Sequence, residues 1–202
     1  MVRTSSTWLD VDGPVHVADL GGPREAPAVL CVHGLGSSHA AWGPLALALS
    51  STHRVLAVDL PGHGRSPADG RSTAVKDAGG VLERVVQRLD AGPLTLVGHS
   101  MGAAVAVLAA ARAPEPLERL VLLAPPMPRD RLAFISPALL PHVALCALPM
   151  LGHAALARRL DRGSVEQHIM DGLRLTCGSL DAVAEFAPAL VAEFEAARDR
   201  GE

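Results

Sequence analysis

Four short, almost uninterrupted apolar runs punctuate the first 125 residues: 28–32 (AVLCV), 55–58 (VLAV), 94–97 (LTLV) and 120–123 (LVLL). Each is followed by turn-forming residues. Continuous apolar runs of this length read as strands covered on both faces, as in a parallel sheet. Between them the period changes. Val81, Leu82, Val85, Val86 and Leu89 recur at helical spacing, with Glu83, Arg84, Gln87 and Arg88 facing away. Residues 103–111 are nearly all small or apolar, which predicts a helix buried against the sheet. Residues 7–19 alternate loosely around Gly13-Pro14, like a hairpin that opens the fold. Strand-helix alternation predicts an α/β architecture with a doubly wound, mostly parallel sheet. After Pro125-Pro126 the character changes: residues 127–202 contain no convincing strand. Val183, Phe186, Ala187, Leu190, Val191 and Phe194 form a helical stripe read as a packing face. The expected organisation is a sheet domain over residues 1–127 followed by a helical lid over 128–202.

Composition narrows the functional classes. A chain of 202 residues is one domain with at most a small appended part. Hydrophobic residues make up 49% of it and aromatics only 2%, with no tyrosine, so the core must be aliphatic. The formal net charge of -3, with Lys76 as the single lysine, argues against nucleic acid as a partner, which would call for a basic face. Cys31, Cys146 and Cys177 lie far apart and suggest no disulfide framework. The absence of CxxC and HExxH patterns leads us to expect neither a metal site nor a cofactor. The N-terminal MVRTSSTWLD lacks the apolar core of a signal peptide, so a reduced, cytoplasmic protein is expected. Between Arg131 and Arg158 there is no charged residue apart from possible charge on His142 and His153. That stretch is long enough to span a bilayer. Pro137, Pro141 and Pro149 break it into pieces that read better as short lid helices, and no membrane association is expected.

The strongest chemical signal is Gly98-His99-Ser100-Met101-Gly102, a G-x-S-x-G sequence between an apolar strand and a helix. That is the setting of a nucleophile elbow. A serine on a tight, strained turn has its Oγ exposed above the sheet edge, and flanking glycines remove side chains that would clash. The helix N-terminus behind it favours developing negative charge. A second signal, His33-Gly34-Leu35-Gly36-Ser37-Ser38, directly follows the strand at 28–32. A glycine-rich loop there can aim a backbone N–H at Ser100 and, with the N–H of Met101, form an oxyanion hole. A dinucleotide-binding loop is disfavoured because the third glycine of G-x-G-x-x-G is absent. The third signal, residues 59–66 (DLPGHGRS), reads as a structured turn in which Asp59 and Arg65 brace the loop rather than react.

HGLGSS, DLPGHGRS and GHSMGA in this order resemble the α/β-hydrolase fold superfamily, in its esterase, lipase and peroxidase-like branch. The resemblance covers residues 7–127 well and the lid loosely. It implies Ser100 as nucleophile, the amides of Leu35 and Met101 as oxyanion donors, and His33, Gly34, Gly36, Gly98, His99 and Gly102 as the supporting loops. The apolar lid region suggests a hydrophobic acyl or alcohol group, so a small hydrophobic ester-like substrate is expected. The family's order is serine, then acid, then histidine. Neither the acid nor the histidine is assignable here, because the chain ends at Arg200-Gly201-Glu202 where relatives begin another buried strand. His142, His153, His168, Asp130, Asp161, Asp171 and Asp181 all follow Ser100 and read as lid residues, with Asp130 a faint candidate for the acid. The expected sheet therefore lacks its last strands. Its last strand, at 120–123, becomes an exposed apolar edge through which copies can self-associate. The alternative to an active hydrolase is a catalytically incomplete fragment or a non-catalytic relative.

Overall fold

Every one of the four apolar runs is a strand in the computed structural model, which describes residues 5–89, 91–112, 115–126, 163–176, 179–181 and 183–199. The opening hairpin is β1 (Ser5–Asp10) and β2 (Pro14–Gly21), followed by β3 (Ala28–Val32), β4 (Arg54–Val58), β5 (Leu94–His99) and β6 (Leu117–Leu123). Three helices cross between the parallel strands: α1 (Gly43–Leu49), α2 (Val75–Arg88) and α3 (Met101–Arg112). Two more follow, α4 (Val165–Thr176) and α5 (Ala187–Asp199). The chain forms two compact units, Met1–Pro126 with Ala192–Glu202, and Met127–Val191. The residues on which the lid expectation chiefly rests, 127–162, lie outside the described ones, as does the charge-free stretch. No helix among the described residues is long and apolar enough to cross a membrane.

The six strands form one sheet in the order β1-β2-β4-β3-β5-β6. The hairpin joins antiparallel, β2 against β4, and the remaining pairs are parallel. Parallel neighbours need crossovers, which α1, α2 and α3 provide. From β3 the chain winds first to β4 on one side and then to β5 on the other. The β3–β5 junction is thus the switch point where the loops leaving adjacent strands part and open a crevice.

Both faces of the central strands are covered, which explains their unbroken apolar character. Leu30, Val32, Leu56, Val58, Leu94 and Leu96 pack with Val81, Leu82 and Val85 of α2 and Val105, Ala106 and Ala109 of α3. The alternate residues Val29, Cys31, Val55, Ala57 and Val97 pack with Trp42 and Ala46 on the α1 side. Cys31 is fully buried there, and burial pushes its thiol up to about 12. The two helices on the first face lie close. A Cβ at Gly79 of α2 would come within 2.8 Å of Leu108 Cβ on α3.

Two helical features depart from the sequence pattern. The stripe from Val183 to Phe194 is split between a single 3-10 turn (Ala184–Phe186) and α5. Pro188 explains the break: it fits the first turn of α5, but its ring cannot accept an α-helical turn continuing from before it. The second feature, α4, falls within the region expected to be helical, although the sequence pattern does not single it out. Its start is fixed by a reciprocal cap, in which the Gln167 N–H donates to Ser164 Oγ at 3.1 Å and the Ser164 N–H donates to Gln167 Oε1 at 3.1 Å.

Leu82 is fully buried between sheet and helices, whereas Leu47 is 56% exposed. We expect Leu82→Ala to cost about 2–5 kcal/mol of stability and Leu47→Ala to stay within about 0.5 kcal/mol of the parent, measured by urea denaturation.

Candidate active site

At the end of β5 the chain reverses within one residue. Ser100 has φ +52°, a left-handed conformation that a side chain-bearing residue adopts only under constraint. Two hydrogen bonds impose it. The Ser100 N–H donates to the Leu123 carbonyl of β6 at 2.9 Å, and the Ala103 N–H donates to the Ser100 carbonyl at 2.9 Å. The flanking glycines are fixed by backbone approach. A Cβ at Gly98 would lie 2.5 Å from the Gly102 carbonyl oxygen and 2.6 Å from Ala103 Cα. A Cβ at Gly102 would lie 2.3 Å from the carbonyl oxygens of both Val32 and His33. The turn can therefore seat α3 against β3 only with glycine at both positions. Ser100 Oγ makes no hydrogen bond among the described residues, and its side chain is half-buried. Met101 is the first residue of α3, so its N–H has no acceptor within the helix.

The loop leaving β3 passes directly over this turn. A Cβ at Gly34 would sit 3.2 Å from His99 Nδ1 and 3.4 Å from Ser100 Cβ. Gly36 adopts φ +66° and Leu35 is 73% exposed. Buried His33 holds the loop. Its Nδ1–H donates to the Gly34 carbonyl at 2.8 Å and its Nε2 accepts the Leu60 N–H at 3.1 Å. These partners fix one neutral tautomer, because a backbone amide can only donate and a carbonyl can only accept. Burial is the main reason that its pKa falls to about 4. The Gly34 carbonyl and the Leu35 N–H belong to one trans peptide and point in opposite directions. Fixing the carbonyl on His33 therefore turns the Leu35 N–H the other way.

Beside this loop lies a buried carboxylate. Asp59 Oδ1 accepts the His39 backbone N–H at 2.7 Å. Oδ2 accepts from His16 Nδ1 and His39 Nδ1, both at 2.8 Å, and from the Arg65 N–H at 3.0 Å. Burial opposes its charge, yet the hydrogen bonds from His16 and His39 outweigh it and hold the carboxyl well below the usual carboxylate range. Ser66 Oγ donates to the Asp59 carbonyl at 2.7 Å and accepts the His16 N–H at 2.8 Å. A Cβ at Gly64 would come within 2.4 Å of Asp59 Cγ. Above this centre, Glu193 of α5 pairs with the Arg65 guanidinium and approaches His39 Nε2 at 3.6 Å. The ligand atoms of His16, His39 and Asp59 lie within 4.8 Å of one another, a spacing that could suit a metal ion. All three are committed to one another as donors and acceptor, so hydrogen bonding alone accounts for the cluster.

The structure thus brings Ser100, Met101, Gly98, Gly102, His33, Gly34 and Leu35 to one end of the β3–β5 junction, with His99 beside Gly34. It adds His16 and His39, which the sequence reading did not single out. His142, His153, Asp130 and Asp161 lie outside the described residues. Asp171 pairs with Arg174 at 2.8 Å, and His168 Nδ1–H donates to the Ser164 carbonyl at 2.8 Å, both interactions local to α4.

The sequence profile of the alpha/beta hydrolase fold matches residues 27–153. With the sheet order and the turn at Ser100, this defines the class, and the chain belongs to the α/β-hydrolase fold family. The 30 kDa subunit of magnesium chelatase from Rhodobacter capsulatus is 32% identical over 167 residues, 81% of this chain and 56% of that protein. A serine hydrolase-like protein of Danio rerio is 36% identical over 123 residues, 60% of this chain and 36% of that protein. Among solved structures, the thioesterase domain from the curacin biosynthetic pathway superposes with a TM-score of 0.67 at 26% identity, covering 95% of this chain and 67% of that one. A carboxylesterase from Bacillus subtilis gives 0.54 at 30% identity, covering 61% and 44%. The chain spans between about a third and somewhat more than half the length of these two curated relatives.

Two predictions follow from the geometry. Gly102→Ala forces the β3 and α3 backbones apart and is expected to cost about 3 kcal/mol or more, in the range of severe overpacking, read as a lowered denaturation midpoint. For His33, the folded-state pKa lies below the unfolded value of 6.5. As pH falls from 6.5 towards 4, the unfolded chain gains a proton that the folded chain refuses. Stability is therefore full above 6.5 and declines below it, by about 3 kcal/mol at the lower end. Urea denaturation at pH 7 and pH 4.5 should show this decline in the parent and a shallower one in His33→Gln.

Proposed function

We propose that this chain carries the nucleophile half of a serine hydrolase that cleaves an ester or related acyl bond. The observation that carries the reading is the strained Ser100 backbone, φ +52°, lying under the glycine loop at Gly34. In this reading Ser100 Oγ attacks the substrate carbonyl. The carbonyl oxygen takes up negative charge and is stabilised by the N–H groups of Leu35 and Met101. The alcohol or thiol then leaves with a proton, and water hydrolyses the acyl-serine. The orientation of the Gly34–Leu35 peptide by His33 and the free first amide of α3 support both donors. Removing one such donor typically raises the barrier by roughly 2.7–4 kcal/mol. The likeness to a carboxylesterase and to a thioesterase domain supports acyl chemistry. The apolar composition of residues 132–157 favours a substrate with a hydrophobic acyl or alcohol group.

A second reading rests on a specific observation. Among the described residues no histidine hydrogen-bonds Ser100, and a serine hydroxyl without a base is a weak nucleophile. In that reading the chain keeps the oxyanion geometry but lacks the proton acceptor, leaving only the modest catalysis of binding and the oxyanion hole.

Labelling with a fluorophosphonate, followed by intact mass on the parent and Ser100→Ala, separates the two. Stoichiometric labelling that disappears in Ser100→Ala supports the hydrolase and requires a base in this chain or an associated one. A folded parent that does not label assigns the chain to the second reading.

A further inference from the structure

The buried pair of Asp59 and His16 continues into a third group that the chemistry of Ser100 does not use. His16 Nδ1–H donates to Asp59 Oδ2 at 2.8 Å, and Ser6 Oγ lies 2.9 Å from His16 Nε2. A carboxylate only accepts, so in the neutral ring the proton sits on Nδ1 and Nε2 keeps its lone pair. The Ser6 hydroxyl is therefore the donor in the second contact. Hydroxyl, imidazole and buried carboxylate in that order are the groups that activate a serine. Both contacts fall within the roughly 2.6–3.2 Å that proton transfer needs.

The register of the opening hairpin explains the placement. β1 and β2 pair with Trp8 opposite His16 and Ser6 opposite Ala18. Side chains alternate along a strand, so Ser6 and Trp8 share the face of β1 that meets His16, while Ser5 and Thr7 share the other. His16 is diagonal to Ser6, within reach across an antiparallel pair. The imidazole is wholly buried, with its ring 5.2 Å from that of Trp8 and 4.9 Å from that of His39. Its backbone N–H is held on Ser66 Oγ at 2.8 Å. Asp59 is equally buried, whereas Ser6 is exposed. Base and orienting acid are thus fixed in the interior while the hydroxyl meets solvent.

We propose that Ser6 is a second activated serine, an acceptor of acyl groups from activated esters, with His16 as its base and Asp59 orienting that base. Ser6 Oγ attacks the carbonyl carbon of the donor as His16 Nε2 takes the hydroxyl proton. The Oγ–C bond forms, the bond from that carbon to the leaving oxygen breaks, and the proton passes from His16 to the departing alkoxide or phenoxide. The products are an acylated Ser6 and one free alcohol or phenol. The Asp59 carboxylate stabilises the imidazolium that exists between the two transfers. Trp8 is 53% exposed and lies two residues from Ser6 on the same face, so the donor's hydrocarbon or aromatic part has an apolar surface to lie against. This inference stands on the contacts of Ser6, His16 and Asp59 and does not depend on the chemistry of Ser100.

Incubation of the full chain carrying Ser100→Ala with p-nitrophenyl butyrate, followed by tryptic peptide mass mapping, tests it. Ser100→Ala removes the other candidate serine, so failure at Ser6 leaves the reading of Ser100 untouched. Ser5 is the internal control, because it is also exposed but lies on the opposite face of β1. A positioned base typically contributes roughly 10²–10⁴-fold, so Ser6 should acylate at least ~tenfold faster than Ser5. Denaturing urea separates Ser6 from His16 and should abolish that preference. Adding Ser6→Ala should remove the adduct and leave the circular dichroism unchanged. Adding His16→Gln should abolish the preference for Ser6; if that variant unfolds, the comparison with urea decides. A folded chain with no adduct at Ser6, or with Ser5 and Ser6 acylated equally, overturns the proposal. So does a preference for Ser6 that survives in urea or in a folded His16→Gln variant.

Discussion

A single buried carboxylate fastens the loops on which the candidate site rests. Asp59 is completely shielded from solvent, and an ion in that position survives only if its lone pairs are filled. Four donors fill them, from His16 on β2, the backbone and ring of His39 after β3, and the backbone of Arg65 after β4. Three segments distant in sequence are thus locked to one atom group. No one of them can shift without exposing an unpaired charge to an apolar interior. This cost, rather than the local preferences of the loops, keeps the glycine loop after β3 in position.

Topology then determines where that loop goes. Winding β4 to one side of β3 and β5 to the other leaves the β3 and β5 exits adjacent. The β3 exit delivers Gly34 above Ser100. The β5 exit delivers Ser100 with a backbone that a residue of its type rarely adopts. His33 ties the two levels together, because its ring joins the Gly34 carbonyl to the Leu60 amide beside Asp59. The chemistry proposed for Ser100 thus inherits its geometry from a chain of buried polar contacts.

Much of this was legible in the sequence where a physical constraint maps onto neighbouring residues. Buried parallel strands must be apolar on both faces, so the runs at 28–32, 55–58, 94–97 and 120–123 stood out. Gly98 and Gly102 were legible because any Cβ there would meet backbone at 2.6 Å or less. What stayed hidden depends on distant partners. His16 and His39 lie 43 and 20 residues from Asp59, and nothing in their local sequence marks them as its donors. α1 (GPLALAL) is short and has no charged residue to show a polar face. α4 lies in the region expected to be helical, but its bounds follow from the Ser164-x-x-Gln167 cap, which the sequence reading does not use. The stripe from Val183 to Phe194 read as one helix because periodicity ignores what Pro188 forbids.

The bond from Ser100 to Leu123 gives the outer strand an influence beyond its own edge. β5 holds the serine from behind, and α3 from in front. Only β6 restrains its amide from the side. Loosening of β6 would free that amide and remove one of the two hydrogen bonds that hold the left-handed turn. Whatever steadies β6 therefore also steadies the turn on which Ser100 is carried.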